Sequence, residues 1–255
     1  MTTQATQATH PLANLRDLGG IPVDGGRVRT GVLLRSDDVA LIDADGAEAL
    51  VAEGLSLILD LRSGDELAAT GRGVLEAHPV EHRHLPLMGD VTQPAADVRA
   101  LFVDVADPLA AMGEMYAGML RTRAEQFVLG LTAIADGTGG ALFHCAAGKD
   151  RTGVFAATVL SLLGAAEEDI VADYARTTEA LEGIMARMNR DHPAGGAADA
   201  WKDVPAVLMT ADPGTMRAML ATIAEEFGSI RALLDAAGYD DALHARLRER
   251  LVEPA

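Results

Sequence analysis

Cysteine is almost missing from this chain: Cys145 is the only one in 255 residues. A single thiol excludes an internal disulfide, a thiolate metal cluster, and arsenate reduction that depends on an internal resolving thiol. Lysine is nearly as scarce, with Lys149 and Lys202 the only two; the other basic residues are arginines. No apolar run is long enough to span a bilayer. Met1 to His10 has neither a basic start nor an apolar core, so a Sec-type leader is not indicated. A cytoplasmic location is expected, with export by another route left open. Positive charge is in deficit. The formal net charge of −17 argues against nucleic acid as a partner and against stable association with anionic membrane. No Gly-x-Gly-x-x-Gly fingerprint occurs. Gly148-Lys149 is not a nucleotide-binding loop either, because Asp150 stands where Ser or Thr must bind magnesium.

What is present reads as one globular domain over residues 1–255, without repeats or low-complexity tracts. Short apolar runs of strand length, at Gly31–Leu34, Leu55–Leu61, Val80–Leu87 and Ala141–His144, alternate with segments of helical period. Asp43 or Asp45 can cap a helix that Gly54 ends, and Ser63 with Glu66 forms a capping-box pattern. Ala95 to Ala135 is mostly helical in period, with a break near Asp107-Pro108. Helices are expected over Arg151–Leu163, closed by Gly164, and from Glu167 to about Met188. Two or three more fill Pro213 to Leu251. The alternation predicts an α/β fold, a central mainly parallel sheet flanked by helices. The looser stretch Asn189 to Met209, rich in Ala, Gly, Asp and Pro, reads as an insertion or lid.

The chemistry concentrates around the one cysteine. Cleavage of a phosphate ester by sulfur needs a thiolate near neutral pH and donors that hold a dianionic phosphoryl group through its transition state. A strand that ends at the nucleophile, followed by a tight loop and a helix N-terminus, supplies both. Here the strand ends at His144, and Ala146, Ala147 and Gly148 are small enough for the backbone to curl around a phosphate. Arg151, six residues after Cys145, offers a planar fork to two phosphate oxygens. Lys149 adds a second cation, Thr152 can hydrogen-bond the sulfur, and His144 can orient and support the cysteine. A Cys with an Arg six positions later is common by chance; the surrounding His, Gly, Lys, Asp and Thr-Gly make the pattern specific. The alternative is an ordinary strand–helix turn over a buried thiol.

The run His144-Cys145-Ala146-Ala147-Gly148-Lys149-Asp150-Arg151-Thr152-Gly153 resembles the Cys-x5-Arg tyrosine phosphatase superfamily, in particular its atypical bacterial branch of mycobacterial type. Asn14-Leu15-Arg16-Asp17-Leu18-Gly19-Gly20, Leu34-Arg35-Ser36, Asp60-Leu61-Arg62-Ser63 with Glu66, and Val171-Ala172-Asp173-Tyr174 resemble further segments of that branch, in the right order. The resemblance implies a phosphatase fold, a cysteinyl-phosphate intermediate, and no metal or other cofactor. It also implies turnover of phosphotyrosine, and opens phosphoserine, phosphothreonine or phosphoinositides, so the partner is a phosphorylated protein or a phospholipid headgroup. A helical lid, about residues 182–220, and a brace of the loop by Arg16 and Asp17 follow from the same likeness. Without it, Arg16 and Asp17 read as a charged turn. Asp90 to Ala110 matches no motif, which leaves two candidates for the general acid. Asp90, after Leu85-Pro86-Leu87, would act from a separate loop; Asp150 would act from within the phosphate loop. A carboxyl group beside a bound dianion is favoured in its protonated form, which puts Asp150 ahead.

Other signals are weaker. His82 and His84 share one face of a strand and hint at metal ligands, but no third ligand is evident. Met112, Met115 and Met119 at helical spacing read as packing. The competing functions are a sulfurtransferase-like enzyme, which has no use for the Lys-Asp pair before Arg151, and a non-catalytic phosphate-binding module. Nothing in the sequence sets an oligomeric state.

Overall fold

The computed structural model describes residues 12–88, 105–191 and 206–255. The strands β1 (Arg16–Asp17), β2 (Pro22–Val23), β3 (Gly26–Val28) and β4 (Leu33–Ser36) come first. They are followed by α1 (Ala44–Ala52), β5 (Leu55–Asp60), α2 (Gly64–Thr70) and β6 (Glu81–His84). Next are α3 (Pro108–Thr122), α4 (Ala124–Asp136), β7 (Gly140–His144), α5 (Asp150–Leu163), α6 (Glu167–Ala175) and α7 (Thr177–Asp191). The chain closes with α8 (Pro213–Phe227), α9 (Ile230–Asp235), α10 (Asp241–Leu251) and β8 (Val252–Pro254).

The main sheet has the order β1-β4-β7-β5-β6. Its inner pairs, β4 with β7, β7 with β5 and β5 with β6, are parallel, and β1 joins the edge antiparallel. β7 is central, and all five of its residues are buried. That suits a strand covered on both faces. Side chains alternate between two cores. Leu57, Leu59, Ala141 and Phe143 face the larger one, with α3, α4, α5 and α8. Leu55, Ile58 and Leu142 face a smaller one that contains Leu50 of α1. Phe155 of α5 lies 4.9 Å from Phe143 and 5.6 Å from Phe127, centroid to centroid, and so joins sheet to helix layer. The mainly parallel sheet flanked by helices is the α/β architecture expected from the alternation of segments.

Local signals place most boundaries. Asp43 caps α1 by accepting from the Gly46 amide at 2.8 Å, and the Ser63–Glu66 capping box opens α2. The strand expected at Gly31–Leu34 starts instead at Leu33, because Gly31 takes φ +76° in the preceding turn. The single helix expected from Glu167 is two helices broken at Arg176. The cause is visible: Arg16 donates to the Asp173 carbonyl at 2.8 Å and to Thr177 Oγ1 at 3.2 Å, taking over a carbonyl that a continuous helix would use. A small antiparallel sheet, β2-β3-β8, was not anticipated. Within the span considered as a lid, 182–220, residues 192–205 lie outside the described residues. Its last part is the first half of α8, where Met216 and Met219 are fully buried in the larger core.

Candidate active site

Cys145 follows β7 directly, beyond the C-terminal ends of the parallel strands, where open α/β sheets form a crevice. It is a free cysteine, 1% exposed. The segment 146–149 turns the chain into α5, whose N-terminus carries no side-chain cap. Three carbonyls of the turn are tied to the scaffold behind it. The Ala146 carbonyl accepts from the Asp38 amide at 3.0 Å. The Ala147 carbonyl accepts from Asn14 Nδ2 at 3.2 Å. The Gly148 carbonyl accepts from Asn14 Nδ2 at 3.0 Å and from Arg35 Nη2 at 2.8 Å. In a trans peptide the C=O and the next N–H point to opposite sides. The amides of Ala147, Gly148 and Lys149 therefore point away from the scaffold, into the concavity of the loop, as a cradle for anionic oxygens. Gly148 is required there: its φ is +66°, and a Cβ would sit 2.5 Å from the Ser36 carbonyl oxygen.

Arg151 leaves the first turn of α5 and grips Glu66 with both Nη atoms, one at 2.8 Å from Oε1 and the other closer still to Oε2. Glu66 is also the capping-box residue of α2, so one carboxylate anchors that helix and aims the arginine. Burial alone would weaken the basicity of Arg151, but the adjacent Cys145, Glu66 and Asp150 more than offset it and keep the guanidinium charged. The Glu66 carboxyl would be raised by burial, and its bonds to Arg151 hold it below the ordinary range instead. Lys149 is 3% exposed, and its ammonium donates to the carbonyls of Leu208 at 2.7 Å and Thr210 at 3.1 Å. It ties the loop to the segment before α8. Asp150, about one-third exposed, accepts from the Tyr116 hydroxyl and lies 3.3 Å from Lys149 Nζ through the same oxygen.

Behind the loop is a buried ion cluster. Asp173 of α6 pairs with Arg35 and, at 2.8 Å, with Arg16 Nε. Burial would raise the Asp173 carboxyl; Arg35 and Arg16 overcome that and hold it low.

The tyrosine phosphatase family profile matches residues 8–253. The chain belongs to the tyrosine phosphatase family. Curated relatives agree. A protein of Cupriavidus necator assigned as a tyrosine-protein phosphatase is 39% identical over 186 residues, 69% of this chain and 66% of that one. A tyrosine-protein phosphatase of Nostoc commune is 32% identical over 234 residues, 91% of this chain and 75% of that one. The triple specificity protein phosphatase PtpB of Mycobacterium tuberculosis is 27% identical over 183 residues, 64% of this chain and 66% of that one. By class the chain is a protein-tyrosine phosphatase, a phosphoric monoester hydrolase.

In this phosphatase the residues singled out by the sequence land in different places. Cys145, Ala146, Ala147, Gly148, Lys149, Asp150 and Arg151 make up one turn. Thr152 is fully buried, and its hydroxyl has no hydrogen-bond partner among the described residues. The ring of His144 lies between Asp38 and Asp60, with Nδ1 3.9 Å from the first and Nε2 3.8 Å from the second. Burial pushes its pKa below the ordinary value despite both carboxylates, which favours a neutral ring. Nδ1 lies 3.2 Å from the Cys145 carbonyl. Arg16 and Asp17 were expected to brace the loop together. Adjacent strand residues face opposite sides, and only Arg16 turns toward it, through Asp173 and Asn14. Asp17 instead binds the amides of Gly19 at 2.8 Å and Gly31 at 2.6 Å, closing a turn. Asp90 lies outside the described residues. His82 and His84 are engaged elsewhere, with Asp60 at 3.3 Å and the Arg62 carbonyl at 2.8 Å. No group of three or more metal-binding side chains occurs among the described residues. No helix there is long and apolar enough to cross a membrane.

Sequence reasoning did not assign site roles to Asn14, Arg35, Glu66, Tyr116 or Asp173. Asp173→Asn tests the brace. Removing the carboxylate leaves Arg35, 0% exposed, without its ion partner, and a loss of about 3–5 kcal/mol in urea unfolding at neutral pH is expected. Because the folded-state pKa of Asp173 is depressed, its contribution is complete above the unfolded value near 4 and lost as pH falls below it. The gap between parent and variant should therefore narrow on acidification. A loss under about 1 kcal/mol at neutral pH would show that Arg35 is held by other means.

Proposed function

We propose that this phosphatase hydrolyses phosphotyrosine through a cysteinyl-phosphate intermediate on Cys145, with Arg151 and the loop amides holding the phosphoryl group and Asp150 as the proton donor. The observation that carries this reading is the set of outward-tied carbonyls of Ala146, Ala147 and Gly148, which turns three amides toward the place a phosphoryl group would take beside Cys145. In the first step the thiolate attacks phosphorus. The S–P bond forms, the P–O bond breaks, and Asp150 gives its proton to the leaving oxygen. In the second step the Asp150 carboxylate takes a proton from water as the water oxygen attacks phosphorus. The S–P bond then breaks, returning the thiolate and inorganic phosphate. Asp150 is favoured over Asp90 by its place one residue before Arg151 and by its partial exposure. The substrate range proposed is a phosphorylated protein first, with phosphoserine, phosphothreonine and phosphoinositide headgroups as further esters. The triple specificity of the mycobacterial relative supports that breadth.

Asp150→Asn and Asp90→Asn, compared on phenyl phosphate and dinitrophenyl phosphate, test the acid. A poor leaving group needs the proton; an activated one does not. Asp150→Asn should lower kcat on phenyl phosphate by on the order of 100-fold and barely affect the dinitrophenyl ester. If Asp90→Asn shows that selectivity and Asp150→Asn does not, the assignment is wrong. A kcat/KM comparison of phosphotyrosine, phosphoserine and phosphothreonine peptides with phosphoinositides ranks the substrates.

A further inference from the structure

We propose that Tyr116 and Tyr174 form a phenol relay that fixes Oδ1 of Asp150 as a hydrogen-bond acceptor and so places the transferable proton on Oδ2, making Tyr116 a positioning residue for the acid step. This rests on the reading of Asp150 as the proton donor. Tyr116 reaches the site from α3, and Tyr174 from α6. They are two of the three tyrosines in the chain. The Tyr116 hydroxyl donates to Asp150 Oδ1, and the two phenol oxygens lie 2.9 Å apart.

A phenol has one proton to give. If Tyr116 spends its proton on Asp150, Tyr174 must be the donor to Tyr116, and the chain has a single direction: Tyr174 to Tyr116 to Asp150. Lys149 Nζ, 3.3 Å away, addresses the same Oδ1. A phenol proton and a neighbouring ammonium charge, both on Oδ1, disfavour a proton there. Oδ2 has no hydrogen-bond partner among the described residues and is the oxygen left to carry it toward a leaving group.

The relay cannot readily reverse by ionisation. Burial raises the pKa of Tyr116 and of Tyr174, and the nearby Asp150 charge raises both further, so each stays a neutral donor wherever the enzyme would be assayed. The site is also shaped for the pair. The rings meet edge to face at 81° with centroids 6.1 Å apart, and a Cβ at Gly153 would sit 2.8 Å from Tyr174 Cδ2. Gly153, in the first turn of α5, thus admits Tyr174 beside the phosphate loop. Packing alone would be met by phenylalanine at both positions, without two buried hydroxyls to satisfy. Tyr116 is 0% exposed and Tyr174 1%. Among the described residues, the carboxylate hydrogen-bonded to their chain is Asp150.

Tyr116→Phe, Tyr174→Phe, Asp150→Asn and the double variant Tyr116→Phe/Asp150→Asn, assayed with phenyl and dinitrophenyl phosphate, test the relay. Tyr116→Phe should lower kcat on phenyl phosphate about tenfold, the scale of one hydrogen bond to a charged group, with KM unchanged. The dinitrophenyl ester should be turned over at nearly the parent rate. Tyr174→Phe should act in the same direction and more weakly. In the Asp150→Asn background, Tyr116→Phe should cost nothing more. If Asp150→Asn is leaving-group selective but both tyrosine variants slow the two esters equally, or slow neither, the relay is overturned and the acid assignment stands. If Asp150→Asn is not selective, the acid assignment fails and the relay with it. Should Tyr116→Phe fail to fold, Tyr174→Phe, which leaves the Asp150 contact in place, decides by the same selectivity.

Discussion

Cys145→Ser is expected to abolish turnover of a phosphotyrosine peptide, with kcat down by at least about 10⁴-fold, an increase in barrier of about 5.4 kcal/mol. Oxygen replaces sulfur with little change in shape, so the loop stays intact. What the proposed mechanism loses is its nucleophile, because a serine hydroxyl is not ionised near neutral pH. His144 is not placed to ionise it: its Nδ1 lies against the Cys145 carbonyl, and its ring is buried between Asp38 and Asp60. Binding should survive, because the amides of Ala147, Gly148 and Lys149 and the Arg151 guanidinium are untouched. Tungstate or phosphate titrated calorimetrically should bind the variant within a few-fold of the parent. Substantial residual hydrolysis would rule out the covalent route. Loss of oxyanion binding together with turnover would mean that the serine has disturbed the loop.

The turn around Cys145, the one proposed as catalytic, was legible as strand, loop and helix because its signals are local. Cys145, Gly148 and Arg151 lie within seven residues, and the adjoining apolar runs set strand before and helix after. The supporting shell was not legible, because it is assembled by tertiary contact. Asn14 and Arg35 meet Gly148 across more than 100 residues of sequence, and Asp173 joins Arg16 and Arg35 from a helix that periodicity merged with its neighbour. Glu66 was read as a helix cap, which it is; its second role, holding Arg151, leaves no local mark. Tyr116 sits one position from Met115 in a stripe read as packing, and nothing in its spacing points to Asp150. Asp17 was misassigned with Arg16 because a motif keeps neighbours together, whereas a strand sends them to opposite faces. β8 was missed because three residues, Val-Glu-Pro, carry no period; β3 makes it a strand by pairing.

Arg151→Lys should lower kcat on a phosphotyrosine peptide by on the order of 10³-fold, with a much smaller rise in KM. The guanidinium has five N–H donors. Two are spent on Glu66 Oε1 and Oε2, which leaves three in a fixed plane for the phosphoryl oxygens. One residue can thus be anchored by α2 and hold substrate at once. A lysine carries the same charge but is a point donor on a flexible stem. It can stay on Glu66 or turn to the phosphate, and in neither position does it reproduce two parallel bonds. Ground-state attraction, mostly charge, should be largely kept. The transition state, in which charge spreads over the equatorial oxygens, needs the fork and should lose most. The split between kcat and KM is therefore the diagnostic, read by steady-state kinetics on the peptide. Glu66→Gln should be milder, because the neutral amide still offers one acceptor to Arg151 and the capping contact with Ser63 can persist. If Arg151→Lys proves as mild as Glu66→Gln, Arg151 serves the α2 contact rather than the phosphoryl group.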